Sequence, residues 1–154
     1  MLDIIRYYDH PIERAIAIAI EAHAHQVDKQ NRPYILHVLR VMMKGATDEE
    51  RIVGVLHDLF EDTNYTYEDL LHLGFASEIV DAITALTHAK WQSNNEYYTQ
   101  VKENPLALQV KLYDMEDNMS RLDSIQDEAT KKRLTEKYQR GWEVLTQDLE
   151  WEAL

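Results

Sequence analysis

Four ionisable side chains crowd into six residues at His57-Asp-Leu-Phe-Glu-Asp62, inside a segment whose other residues are of core type. On a continuous helix His57 and Glu61 lie one turn apart, as do Asp58 and Asp62, so two adjacent polar ridges face the same edge of a bundle. Acidic pairs at that spacing repel each other unless positive charge sits between them. A divalent cation supplies it, and imidazole nitrogen and carboxylate oxygen both suit a borderline or hard metal. His57 and Asp58 would then be ligands, leaving Glu61 and Asp62 to position or deprotonate a water. The bland explanation is a helix end that collects hydrophilic residues, with His57 hydrogen-bonded in the core and the acids solvated. The hexapeptide alone does not decide between the two.

Two further segments tip the balance. His37 follows Pro33-Tyr-Ile-Leu, and Asp114 sits mid-helix among Val110, Leu112, Tyr113 and Met115, where an unpaired carboxylate is costly to bury. Asn118 shares the face of Asp114 one turn later. A lone histidine beside apolar residues is more often structural. Two His and two Asp on three helices, however, form a mononuclear metal set with room for water. The chain has no cysteine, so thiolate ligands, thiolate nucleophiles and disulfides are excluded, and any metal must be held by His, Asp, Glu or Asn.

The elements that position these residues are helices. The 154 residues suit one domain spanning 1–154, and 45% apolar with 29% charged residues can bury a core. Pro11 fits a first helical turn, and Ile12, Ala15, Ile16, Ala19, Ile20 and His23 share a face. That helix is expected to end between His25 and Asp28. Asp28 to Pro33 is polar, closes on a proline and reads as a loop. A second helix should run from Ile35 to Lys44. Thr47-Asp-Glu-Glu50 has the form of a capping box opening a helix that carries Ile52, Val53, Val55, Leu56, Leu59 and Phe60. Helices over Thr66 to Gly74, from a Ser77 cap to about Thr87, over Glu96 to Glu103, over Pro105 to about Leu122 and over Glu128 to Leu149 complete an all-α architecture. An acidic tail, Glu150 to Leu154, follows.

The net charge of −12 argues against broad capture of nucleic acid but not against a small phosphorylated substrate. No apolar run is long enough to span a membrane. The N-terminal Met1 to Arg6 lacks the order of an export signal, so a cytoplasmic protein is expected.

The succession Pro33-Tyr-Ile-Leu-His37, His57-Asp-Leu-Phe-Glu-Asp62 and Val110-Lys-Leu-Tyr-Asp114-Met-Glu-Asp-Asn118-Met resembles the HD-domain phosphohydrolases. Within them it is most similar to the hydrolase half of RelA/SpoT-type alarmone enzymes and their small stand-alone relatives, over about Ile12 to Leu122. The resemblance implies an HD-domain bundle of about seven or eight helices. It makes His37, His57, Asp58 and Asp114 ligands of a divalent metal, typically Mn2+, with Glu61 and Asp62 catalytic and Asn118 contacting the nucleotide. The implied reaction removes pyrophosphate from the 3′ position of guanosine tetra- or pentaphosphate. Lys29 and Arg32, in the loop before His37, are candidates to bind substrate and neutralise the leaving group, with Lys90 and Lys111 behind them. Tyr97 and Tyr98 are able either to stack on a base or to fill core edges.

The chain departs from that pattern at Asp28, near a place where the loop usually carries a basic residue, and at His25, which replaces a glycine. A carboxylate at position 28 is expected to repel a polyphosphate. Asp114 is followed by Met115 rather than the arginine of the long enzymes, as in many small relatives. Two alternatives therefore remain: an HD-type hydrolase of another nucleotide or phosphorylated metabolite, and a non-catalytic helical module using its acidic surface and Trp91, Trp142 and Trp151 to bind a nucleotide or protein. His23, His25 and His88 are scattered relative to the motifs, which disfavours the two-iron oxygenases of the same fold. The C-terminal tryptophans are compatible with a homodimer.

Overall fold

The structure, a computed structural model, describes residues 7–152. The Met1 to Arg6 segment, the last two tail residues and the contact role expected of the Trp151 side chain lie outside the described residues. The described chain is helical: α1 Pro11–Ala22, α2 Ile35–Lys44, α3 Asp48–Leu56, α4 Leu59–Asp62, α5 Tyr67–His72, α6 Ser77–Ala85, α7 Asn94–Lys102, α8 Pro105–Ser120 and α9 Glu128–Glu152, with a 3-10 turn at Leu122–Ser124. The extended pairing seen among the described residues is one isolated bridge between Val27 and Pro33. No helix there is long and apolar enough to cross a membrane.

Local chemistry explains most boundaries. Pro11 starts α1, while Thr66 with Asp69 and Ser93 with Glu96 form reciprocal caps at α5 and α7. Asn104 caps α8 ahead of Pro105. At α3, Thr47 accepts the Glu50 N–H, but Glu50 reaches back to the Ala46 N–H and also accepts the Tyr113 hydroxyl at 2.6 Å, which ties the start of α3 to α8. Ala76, not Ser77, is the cap residue of α6, and Ser77 is its first helical residue.

Three further boundaries differ from the sequence expectation. Helix α1 stops at Ala22, earlier than expected, because His25 turns the chain through a left-handed conformation (φ 71°). Helix α9 continues through Glu152, into the segment read as an acidic tail. Most consequential, the helix expected to run unbroken through Phe60 is interrupted at His57 and Asp58. His57 Nδ1 donates to the Gly54 carbonyl at 2.6 Å, taking the acceptor that a continuing helix would offer to the Asp58 N–H. Asp58 then adopts φ −98°, ψ 4°, and the short helix α4 restarts beyond it. The two regular ridges inferred for this segment are therefore replaced by a kink that turns His57 and Asp58 inward together.

Helices α1, α2, α3 and α8 pack most extensively on one another, around buried residues that include Ile18, Val41, Val53, Leu56, Leu59 and Val110. Gly54 sets the α2–α3 approach: a Cβ there would stand 3.3 Å from the Met42 backbone. Trp142 packs partly buried against this core, whereas Trp91 is 77% exposed. The hydrophobic packing thus brings α2, the α3–α4 kink and the middle of α8 to one place.

Candidate metal centre

Polar side chains from those three segments meet in the interior. His37, His57 and Asp114 are buried, and Asp58 is nearly so. His37 Nε2 lies 2.9 Å and His57 Nε2 3.3 Å from Asp114 Oδ1, and His57 Nε2 lies 3.1 Å from Asp58 Oδ2. The two rings meet edge to face with centroids 5.4 Å apart. Donor atoms of His37, His57 and Asp58 all fall within 4.8 Å of one another, as a shared ion requires.

The surrounding bonds fix which nitrogens point inward. A carbonyl can only accept, so the contact to Gly54 places the proton of neutral His57 on Nδ1 and leaves Nε2 as an acceptor. Similarly, His37 Nδ1 lies 2.7 Å from Asp117 Oδ2, and Asp117 in turn accepts from Arg40 Nε at 2.7 Å and Nη2 at 3.1 Å. Tyr34 donates its hydroxyl to Asp58 Oδ2, Lys111 Nζ donates to Asp114 Oδ2 at 3.0 Å, and Asn118 Nδ2 donates to Asp114 Oδ1 at 3.3 Å.

Among the described residues these contacts leave His57 Nε2 buried without a hydrogen-bond partner, although carboxylate oxygens lie within 3.3 Å of it. Acceptors facing acceptors in a dry site need a positive charge among them. Protons are one source. Burial disfavours a charged His57, but Asp58 and Asp114 outweigh it and hold its pKa well above normal; His37 is raised, against burial, by its hydrogen bonds to Asp114 and Asp117. Burial likewise disfavours the anions, yet His57 beside Asp58 holds that carboxyl at about 2, and Lys111 with His57 holds Asp114 well below the usual range. A divalent cation is the other source. Two imidazole nitrogens and two carboxylates fit it, and the carboxylate–histidine chain through Asp117 is the outer support such ligands receive.

Two cavities flank the centre. The larger, about 350 Å³, is lined on the His37 side by Asp28, Lys29, Tyr34, Arg40, Asn118, Arg121, Leu134 and Tyr138 among others. The smaller, about 150 Å³, opens from His57 and Asp58 to Glu61, His88, Tyr97, Lys111 and Lys137. Glu61 accepts the His88 backbone N–H and has its pKa raised by partial burial; burial and the Asp58 charge raise Asp62 as well.

The structure therefore gathers His37, His57, Asp58 and Asp114, places Glu61 in the smaller cavity, and puts Lys29 and Asn118 on the wall of the larger. Asp62 stands outside both linings, near enough to His23, His57 and His37 to feel their charges. Arg32 is not brought in. Its backbone N–H serves the loop turn on Asp28 and the residue is exposed. Tyr97 is mainly a core residue whose hydroxyl donates to the Leu86 carbonyl at 2.9 Å, but it also lines the smaller cavity. Sequence reasoning passed over Asp117 and Arg40. The signal was present in the Asp114–Asp117 spacing, which puts both carboxylates on one face of α8.

No family model matches the sequence. The chain is 33% identical over 132 residues to a guanosine-3′,5′-bis(diphosphate) 3′-pyrophosphohydrolase of Aquifex aeolicus, a match covering 79% of this chain and 19% of that protein. It is 31% identical over 137 residues to a GTP pyrophosphokinase of Streptomyces coelicolor, covering 81% of this chain and 16% of that protein. The chain thus spans less than a fifth of the length of these curated relatives. Among solved structures, a metazoan ortholog of SpoT that hydrolyzes ppGpp and plays a role in starvation responses matches with a TM-score of 0.74 at 21% identity, over 90% of this chain and 87% of that one. At that identity the likeness is one of fold.

Proposed function

We propose that this chain, which is similar in sequence to RelA/SpoT-type enzymes and shares their hydrolase fold, is an HD-type domain acting as a metal-dependent guanosine-3′,5′-bis(diphosphate) 3′-pyrophosphohydrolase. The observation that carries the proposal is the buried His57 Nε2, which lacks a hydrogen-bond partner at the meeting point of two carboxylates and a second imidazole. Cations stand on both sides of that point, Lys29 and Arg40 in one cavity and Lys111 and Lys137 in the other, in a chain whose net charge is −12.

His37, His57, Asp58 and Asp114 would hold the ion, with manganese proposed as its identity. When bound, it supplies Lewis acidity, polarising a phosphoryl oxygen and acidifying water. The chain supplies the rest. Tyr34 pins one oxygen of Asp58, and Asp117 with Arg40 fixes the plane of the His37 ring. Glu61, with its pKa raised by burial, is a stronger base than an ordinary carboxylate and would accept the proton of the attacking water. Asp62, the next residue of α4, would assist by its charge. Water adds to the proximal 3′ phosphorus, the bond from that phosphorus to the 3′ oxygen breaks, that oxygen leaves on GDP and takes up a proton from solvent, and the pyrophosphate so formed lies beside Lys111, whose charge Asp114 maintains against burial.

The same proposal takes residues 1–154 as one domain, acting in the cytoplasm on a small nucleotide, with a homodimer to be settled by sedimentation. The repulsion expected from Asp28 is blunted, because Oδ1 is engaged by the Gln30 and Arg32 N–H groups at 2.9 Å each. Incubating the protein with Mn2+ and guanosine tetraphosphate and separating products by ion exchange tests the proposal. GDP and pyrophosphate in equal amounts are expected. Release of neither pyrophosphate nor phosphate from any guanosine polyphosphate would sink it.

A further inference from the structure

The larger cavity holds an arginine that the hydrolysis described above does not use. Arg121 follows the last residue of α8, is partly buried, and shares the cavity wall with Tyr34, Asn118, Leu122, Leu134 and Tyr138. Its Nη2 stands 3.7 Å from Asp28 Oδ2, within ion-pair range but beyond a hydrogen bond. That oxygen is buried and makes no hydrogen bond, whereas Asp28 Oδ1 fixes the loop through two backbone N–H groups. One oxygen of Asp28 therefore shapes the turn and the other is left facing the guanidinium.

We propose that Asp28 and Arg121 are the specificity-determining pair of this site, Asp28 holding Arg121 by its edge so that the flat face of the guanidinium meets a nucleobase in the larger cavity. The proposal rests on the nucleotide-hydrolase reading and names how that site selects its substrate. Three features favour a ring over a phosphate as the partner of Arg121. Its charge is largely offset by Asp28, which weakens its pull on an anion. A guanidinium held by its edge still offers a planar face that stacks on aromatic systems. Its neighbours Leu122, Leu134 and Tyr138 are apolar or aromatic, as a base pocket requires, and the Asn118 amide beside them is able to meet polar atoms on a base edge. Lys29, on the same wall and with the cations Lys137 and Arg133 as the charges acting on it, is left for phosphate.

Steady-state hydrolysis of guanosine tetraphosphate with Mn2+ tests this in wild type, Arg121→Ala, Arg121→Lys and Asp28→Asn, with thermal melting as the folding control. Arg121 sits partly exposed at a helix end, so its substitutions are expected to leave melting unchanged. Arg121→Ala should raise KM about tenfold, the scale of losing one base-stacking side chain, with kcat within about twofold. Arg121→Lys keeps the charge but not the plane and should fare as badly. Asp28→Asn retains the loop acceptor and should give a smaller rise. Full rescue by lysine, an unchanged KM in Arg121→Ala, or a loss confined to kcat overturns the proposal. If wild type turns over no guanosine polyphosphate, the hydrolase reading fails separately, and calorimetric binding of GDP then judges the pair. A Kd weakened about tenfold in Arg121→Ala sustains it; an equal Kd, or no binding by wild type, overturns it.

Discussion

The two imidazoles of the centre are held in opposite ways. His37 is anchored by a second helix: Asp117 on α8 takes its Nδ1, Asp114 on α8 faces its Nε2, and Arg40, on the same helix as His37, braces Asp117. His57 is anchored locally, by a carbonyl three residues back in its own helix, and its Nε2 has no hydrogen-bond partner. On the first side a network of partners fixes geometry. On the second, partners are missing, the helix is kinked, and the acids Glu61 and Asp62 have raised pKa values. Support and chemistry are thereby divided between two faces of one site, and substitutions on the two sides should fail differently.

The largest effect is expected at the point where the sides meet. His57→Ala or Asp58→Ala should abolish bound metal and reduce pyrophosphate release to background, measured by elemental analysis alongside turnover. Retention of a full equivalent of metal by either variant would break the comparison, since the unpartnered nitrogen would then not be where the ion sits. Next comes Glu61→Gln, which removes a base without touching a ligand. It should lower kcat by about 10²–10⁴-fold while metal content stays at the wild-type level. Loss of metal in this variant would mean that Glu61 belongs to the supporting shell.

The difference between the two sides also marks what the sequence could and could not tell. Helix starts were legible wherever a short-range cap or proline fixes them, as at Pro11, Thr66 and Pro105, because those bonds span only three or four residues. The convergence of His37, His57, Asp58 and Asp114 was legible because a carboxylate among apolar residues in mid-helix demands a partner. The kink at His57 was not. It depends on a ring taking the Gly54 carbonyl, a rotamer choice that hydrophobic periodicity does not encode. Nor was the sorting of the loop cations: Lys29 reaches the cavity and Arg32 does not, because the turn on Asp28 orients them differently. Asp117 escaped notice because, next to Glu116, it looks like one more surface acid, although it is 3% exposed.

A smaller and more discriminating effect is expected on the supporting side. Asp117→Asn keeps the shape but weakens the acceptor that orients His37, and the loss of such an outer partner costs about 10–100-fold in metal affinity. Titration of Mn2+ by calorimetry should show that loss, while kcat at saturating metal recovers most of the wild-type value. A depressed kcat that no metal concentration restores would place Asp117 on the chemical side instead.

The smallest effect separates the titration of the site from that of the fold. Burial raises the pKa of Glu61, so the catalytic base is protonated at acid pH, and activity should climb with pH through a limb lying above the ordinary glutamate value of about 4.3. Acid unfolding can imitate such a limb. Asp127 supplies the control: its exposed Oδ2 accepts the Thr130 hydroxyl and also the Thr130 N–H at 3.2 Å at the start of α9, and these bonds, the hydroxyl's first, lower its pKa. A carboxyl whose folded pKa is depressed contributes stability above its unfolded value, about 3.9, and loses it as pH falls through the folded one. Asp127→Asn retains a capping oxygen but cannot titrate. Its melting temperature should therefore decline less steeply than wild type below about pH 4, with the acid limb of kcat/KM left in place. If that limb shifts along with the melting curve, it reports loss of the fold, and the raised acid on the His57 side is not what sets the rate.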